Sequence, residues 1–500
     1  MANRLVSPSK FLNLRCFVRT LHSSPSSITD VSPLNLAEKP EETTLLSPTF
    51  ATGATSSTST IDLHDVKGLF SSMSTAKLLR SSVNLHLATL EPMVDVGMWV
   101  MKSRVLETAV LREIVLGTIR HTFYEHFCAG QDVEEACWTA RTIWNSAGLR
   151  GMLVYALEHT TDNATSDRNL EGFIRTVEGA KRLPPSSVSF VIAKMTAICS
   201  IDLLKRVSDL LRWQHRDPSF HLPWRQNCFP IFADSSPFYH TLERPDPLTP
   251  QEEKDLQLAL QRLFKLCQKC VEANLPLSVD AEYTSVQPAI DYLTYSAAIQ
   301  YNKDKNNPIV YGTIQAYLKD AKERLLLAVQ AADKMGVPIG FKLVRGAYIS
   351  SETQLASSLG YDSPVHNSIE ETHACFNGCA SFLLERIAGG SGAVVLATHN
   401  LESGKLLATK ARDLGISKED HKVQFAQLYG MSESLSFGLR NAGFQVSKYM
   451  AFGPVEKVMP YLLRRAEENR GLLSTSTLDR HLMRKELKRR IKAAVLGGDS

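Results

Sequence analysis

Eight short runs of β-branched and apolar residues, each followed by a stretch of helical spacing, constrain this chain more than any other feature. They are LRGMLVYALE (149–158), SVSFVIAKMTAI (187–198), LPLSVDAEY (275–283), PIVYGTIQAY (308–317), GFKLVRGAY (340–348), GAVVLATHN (392–400), VQFAQLYG (423–430) and QVSKYMAFG (445–453). Such alternation builds an α/β fold with a parallel sheet, either closed into a (β/α)8 barrel or opened into a doubly wound sheet. No run is followed by a Gly-x-Gly-x-x-Gly turn, which argues for the barrel. One intervening helix is legible in detail. Thr249, Pro250 and Glu252 provide an N-cap, a proline at the first helical position and a capping-box acid. Leu256, Leu260, Leu263, Phe264, Cys267 and Val271 then form an apolar stripe expected to pack on the barrel. Residues 211–249, punctuated by Pro, Trp and Asp, read as an insertion between the second and third strands and a candidate for mobility.

The rest of the 500-residue chain is arranged around that core. Residues 1–30 hold Arg4, Lys10, Arg15 and Arg19 with no acid before Asp30, the character of an organellar transit peptide, read as mitochondrial with chloroplast import as the competing reading. Residues 31–61 are rich in Ser, Thr and Pro and read as a disordered linker. Helical spacing fills 62–147, the catalytic barrel is expected over 148–472, and a basic helix or tail occupies 473–500. A net charge of +4, much of it at the two ends, is too small to argue for a nucleic-acid binder. No apolar run approaches the length of a membrane span, so membrane contact would be peripheral. The nine cysteines are scattered, and the pairs Cys267/Cys270 and Cys375/Cys379 sit in helical patterns without metal-site spacing.

In a barrel the carboxyl ends of the strands build the site. Read in order, those ends carry Lys194 and Thr196, Asp280 and Glu282, Gln315, Lys342 and Arg345, His399 and Asn400, Gln427, and Tyr449. Buried charges cost several kcal/mol without partners, so this collection points to a site rather than a core. Lys342, Arg345 and His399 would face an anionic, phosphate-bearing cofactor, and Lys194 would balance Asp280 and Glu282. The last helix, YLLRRAEENR (461–470), follows the eighth strand after Gly453 and Pro454, which sets Arg464 and Arg465 over the same opening. On an isolated helix Glu467 and Glu468 would simply pair with them; over a barrel mouth they become candidates to hold an anion.

The ordered set KMTAI, VDAEYT, TIQAYL, GFKLVRGAY, ATHN, FAQLYGM and YLLRRAEEN resembles the proline dehydrogenase family, and HFCAG with the insertions resembles its plant form, from about residue 75 to 495. The resemblance implies a distorted (β/α)8 barrel that holds FAD non-covalently, with proline between the flavin and the last helix. Arg464 and Arg465 match the paired arginines that bind the substrate carboxylate, Lys194 and Asp280 the ion pair lining the proline site, and Tyr449 the aromatic residue on the pyrrolidine ring. Gln315, Lys342, Arg345, Thr398, His399, Asn400, Gln427 and Glu468 fall on positions that contact the cofactor. Two departures stand out. Ile349 replaces a tryptophan common in bacterial members, and Thr196 stands where serine is frequent.

The implied reaction is oxidation of L-proline to Δ1-pyrroline-5-carboxylate, the first step of proline catabolism, with electrons passed to a quinone on the matrix side of the inner mitochondrial membrane. The base for the substrate amine stays open between Asp280 and binding of the minor neutral amine. The segment RHLMRKELKRRIKAAV offers peripheral contact with an anionic membrane. Two rivals make different demands: a Schiff-base aldolase needs Lys194 or Lys342 in an apolar pocket and no flavin, and a non-catalytic barrel scaffold would lack part of this residue set.

Overall fold

The computed structural model describes residues 61–87, 108–471 and 473–496, with side chains throughout except at 109–111, 466–471, 473–476 and 496. The expected transit peptide and nearly all of the expected linker lie outside these residues. Ahead of the barrel come helices at Val66–Leu69, α1 (Thr75–Leu87), Ala109–Ile119 and α2 (Val133–Ala147). Then strand and helix alternate: β1 (Arg150–Tyr155), α3 (Asn163–Lys181), β2 (Val188–Ala193), α4 (Ile201–Arg216), α5 (Pro250–Ala273), β3 (Leu277–Val279), α6 (Gln287–Tyr301), β4 (Val310–Gln315) and α7 (Ala321–Met335). They continue through β5 (Gly340–Val344), α8 (Ile349–Ser358), α9 (Ile369–Ala388), β6 (Ala393–Ala397), α10 (Leu401–Asp413), β7 (Val423–Leu428), α11 (Glu433–Asn441), β8 (Val446–Phe452), α12 (Val455–Gly471) and α13 (Leu473–Leu496).

The strands form a closed barrel in sequence order. Each pairs in parallel with the next, and β1 closes the ring against β8 in a register running from Arg150↔Ser447 to Tyr155↔Phe452. Period-two alternation divides the apolar residues between two cores. Met152, Val154, Phe190, Ile192, Tyr311, Ala393, Val395 and Ala426 cluster in the barrel interior. Their neighbours Leu153, Val191, Leu277, Phe341, Leu343, Val394, Phe425 and Val446 join the larger cluster shared with the surrounding helices. All eight strands fall within the runs read from sequence but are shorter, most of all the third, which keeps only Leu277–Val279. Those trimmed at the carboxyl ends include Glu158, Lys194, Asp280 and Arg345.

The capping box at the start of α5 forms as its residues require, with Glu252 N–H donating to Thr249 Oγ1 (3.2 Å) and Thr249 N–H to Glu252 Oε2 (2.8 Å). Its stripe is offset at the far end: Leu266 and Cys270 are buried and Val271 is exposed. Residues 211–216 belong to α4, and the remainder of the insertion is anchored by the buried side chains of Phe220, Leu222, Phe229, Ile231 and Leu248, so the segment is packed rather than loose. The basic carboxyl-terminal helix is likewise docked. Buried Asp479 of α13 accepts from the backbone N–H groups of Glu433 (2.9 Å) and Ser434 (3.0 Å), capping α11, and Arg490 donates to the carbonyls of Phe70 (2.9 Å) and Met73 (2.7 Å).

Candidate active site

The alternation that fills the barrel also aims its polar residues. Lys194, Asp280, Gln315, Lys342 and Tyr449 each lie on the inward phase of their own strand, above the apolar plug. Lys342 and Tyr449 sit within β5 and β8 rather than at their ends, because tilted strands rise past a common layer at different residues. Asp280 is the hub. Its Oδ2 accepts from the Tyr449 hydroxyl (2.7 Å) and lies 3.3 Å from Lys194 Nζ, while Lys342 bonds to Oδ1. Burial alone would raise the Asp280 pKa, but Lys342 and Lys194 outweigh it and bring the group to about 2.

A second carboxylate completes the cluster. Glu158 receives both terminal nitrogens of Arg464, at 2.6 and 3.3 Å, and stands 3.6 Å from Lys194. Against its desolvation, Lys194 and Arg464 hold it at about 2. Lys194 therefore balances Asp280 and Glu158, not the expected Asp280 and Glu282. Glu282 instead accepts from the Thr196 hydroxyl (2.8 Å) and backbone N–H (3.3 Å) in the turn after β2, and burial pushes its pKa up. Arg464 pairs with a residue 306 positions away in the chain. Arg465 turns elsewhere: it is 6% exposed, and its guanidinium lies 4.9 Å from the centre of the Tyr461 ring. Tyr461 in turn stacks on Tyr449.

The second group of expected residues gathers at the ends of β4 to β7. Arg345 donates to His373 Nδ1 (3.1 Å), Thr398 Oγ1 (2.6 Å) and Ser403 Oγ (2.7 Å), and its guanidinium covers the Phe376 ring. Gly346 follows it at φ +150°, where a side chain would run into the ring of Tyr317, so the chain can leave β5 there only as glycine. Asn400 caps α10, its Oδ1 accepting from Ser403 N–H (2.8 Å). Gln427 donates to the Thr398 carbonyl (3.3 Å) and accepts from Ser436 (2.9 Å). His399 is not the cation expected of it. Burial, with Lys448, Arg465 and Arg345 nearby, lowers its pKa to about 3, and its Nε2 accepts from Leu428 N–H (3.0 Å). The Glu468 side chain lies outside the described residues.

Two observations bear on whether an anionic dinucleotide suits this group. Gln315 Oε1 is buried with no hydrogen-bond partner among the described residues, an acceptor awaiting a donor. Arg345 is held only by neutral groups, and burial lowers its pKa to about 10 with no carboxylate within ion-pair distance among the described residues. Donors and acceptors of this kind fit a flavin head and a phosphate. Sequence reasoning passed over two residues. Glu158 ends the first strand run, where the same search along the rim would have found it. His373 lies in the second turn of α9, with no local signal of any kind.

The proline dehydrogenase family pattern matches residues 152–477. Proline dehydrogenase 2, mitochondrial, of Arabidopsis thaliana is 57% identical over 434 residues, 87% of this chain and 91% of that protein. Hydroxyproline dehydrogenase of Bos taurus is 31% identical, over 85% of this chain and 92% of its own. Among solved structures, proline utilization A from Bdellovibrio bacteriovorus superposes with a TM-score of 0.56 at 21% identity, covering 79% of this chain and 37% of that longer one, a likeness of fold. With the family pattern running from β1 into α13, and with relatives alike along most of both chains, this chain belongs to the proline dehydrogenase family.

Proposed function

We propose that this chain oxidises L-proline to Δ1-pyrroline-5-carboxylate in mitochondria, using FAD and passing electrons to a quinone. The observation that carries the reading is the pair of charge groups at one barrel mouth: Asp280, Glu158, Lys194 and Arg464 for a zwitterionic amino acid, beside Arg345 and its neutral partners for a phosphate. Family membership supplies the reaction class. The name of the Arabidopsis relative supports the mitochondrial assignment, as does the basic leader.

Gln315, Lys342, Arg345, Thr398, His399, Asn400, Gln427 and Glu468 would hold FAD. Bound there, FAD supplies the acceptor for the hydride leaving the ring carbon next to nitrogen. The chain's own residues handle the substrate. Arg464, with a planar two-pronged guanidinium, grips a carboxylate as it grips Glu158, and a substrate carboxylate would compete for those N–H groups. Arg465 adds a second positive charge beside Tyr461. Tyr449, fixed by its bond to Asp280, presents its ring as the wall against which the pyrrolidine packs. Held ionised between two lysines, Asp280 gives the substrate nitrogen a negative neighbour while remaining too weak a base to take its proton at neutral pH. Binding of the minor neutral amine is therefore the reading we favour for proton loss.

The Schiff-base alternative fits poorly. Burial disfavours the Lys194 charge, but its surroundings, Tyr348, Asp280 and Glu158 foremost, more than offset this and raise it well above the ordinary lysine value, the reverse of what a nucleophilic lysine needs. Peripheral membrane contact is supported by the exposed face of α13, which presents Arg484, Lys485, Lys488 and Lys492 while its acids Asp479 and Glu486 are buried. The deciding experiment is the visible spectrum of the purified protein before and after L-proline. An oxidised flavin band that bleaches on addition supports the assignment; a colourless protein, or a band indifferent to proline, sinks it.

A further inference from the structure

The ring of His373 stands between two donors. Arg345 Nε–H points at its Nδ1 (3.1 Å), and the Asn400 amide nitrogen lies 3.3 Å from its Nε2. The amide cannot offer its oxygen to the ring instead, because Oδ1 is committed to capping α10 through the Ser403 N–H (2.8 Å). A neutral imidazole accepts at one nitrogen and donates at the other. The guanidinium settles which: Nδ1 accepts from Arg345, so the proton is on Nε2. Burial and the charge of Arg345, opposed by Glu370, hold His373 below its usual pKa and keep it neutral. The His373 Nε2–H and the Asn400 NH2 are then two donors side by side that cannot satisfy each other. Convergent donors of this kind call for one shared acceptor, and the third donor of the cluster, Arg345, has no carboxylate partner among the described residues.

We infer that His373 is a cofactor-binding residue for the diphosphate bridge of FAD, its Nε2–H and the Asn400 amide donating to a shared phosphate oxygen while its Nδ1 holds Arg345 in place. The inference rests on the reading that FAD occupies this mouth, and it adds a residue on α9 to a set otherwise drawn from β4 to β7 with the residues that follow them, and from α12. A dinucleotide would feel the loss of this residue and a flavin without phosphate would not.

The test uses the full chain purified with its flavin, dialysed against graded FAD or riboflavin, with bound flavin per chain read by absorbance. His373→Ala should weaken FAD retention about 10- to 100-fold, the loss of a hydrogen bond to a charged group, and leave riboflavin retention unchanged. His373→Gln, which can keep an acceptor for Arg345 and a donor beside Asn400, should recover most of the loss. If the alanine variant does not fold, His373→Leu, of similar bulk with neither donor nor acceptor, takes its place and must show the same selective loss. Equal FAD retention in wild type and in the apolar variant overturns the inference while leaving the cofactor reading intact, and so does an equal weakening of riboflavin. A wild-type chain that retains no FAD overturns the cofactor reading itself.

Discussion

Arg464 and Arg465 are neighbours in sequence, yet one grips Glu158 and the other lies over Tyr461, because adjacent side chains leave a helix about 100° apart. Arg464→Met should leave flavin content unchanged and lower the kcat/KM for proline by an amount equivalent to about 2–5 kcal/mol, chiefly through KM; steady-state kinetics on the flavin-loaded protein checks this. Tyr449 is proposed to wall the opposite side of the substrate. An extra ring hydroxyl pressed against its packed wall should cost about 1–3 kcal/mol, so the enzyme should prefer L-proline to trans-4-hydroxy-L-proline. In Tyr449→Ser the efficiency ratio for the two substrates should narrow while proline itself is used less well. The carboxylates make a third expectation. Both Asp280 and Glu158 have folded-state values near 2, below their unfolded ones, so their contribution is present above about pH 4.5 and disappears as pH falls towards 2. Urea midpoints measured from pH 6 down to pH 3 should fall, and Glu158→Gln should flatten that fall.

At the scale of elements, the strands were legible because burial on both faces leaves a nearly continuous apolar run that polar rim residues bring to an end, as KMTAI does after β2. The boundaries were not: a run such as LPLSVDAEY holds apolar, inward-charged and turn residues in one string, and only ring closure decides that three of them pair. Among site residues, those on the inward phase of a strand could be found from sequence, since alternation aims them. Glu158 belongs to the same class and was missed for want of reading the first strand to its last residue. His373 and Asp479 are different, because a helix position carries no mark of what another helix or loop will bring against it. Asp479 shows how much can hang on such a contact: it bonds two backbone N–H groups and the Ser434 hydroxyl at the start of α11, behind Ser432 in a left-handed conformation. Asp479→Ala should destabilise the protein by about 1–3 kcal/mol, seen as a lower urea midpoint, and should loosen α13 enough for a protease to cut it first.

For the molecule as a whole, the exposed face of α13 carries Arg484, Lys485, Lys488 and Lys492 and, among the described residues, no acid, beside the exposed Ile491 and Val495. Flotation with vesicles rich in anionic lipid should carry the protein, and replacing Lys485, Lys488 and Lys492 together with Gln should release it without altering proline turnover by a soluble acceptor. The ring has a second consequence. Its seam joins β1 to β8, nearly three hundred residues apart, and the two charge groups stand differently towards it. The residues cast as cofactor ligands on β4 to β7 come from consecutive strands, whereas Glu158, Lys194 and Asp280 reach Arg464 and Tyr449 only across the seam. A chain emerging amino end first must carry β1 with a bare edge, exposed to pairing with other chains, until its last tenth arrives. The pocket proposed for the amino acid thus cannot come into being before the ring closes, and its presence reports that the barrel has shut.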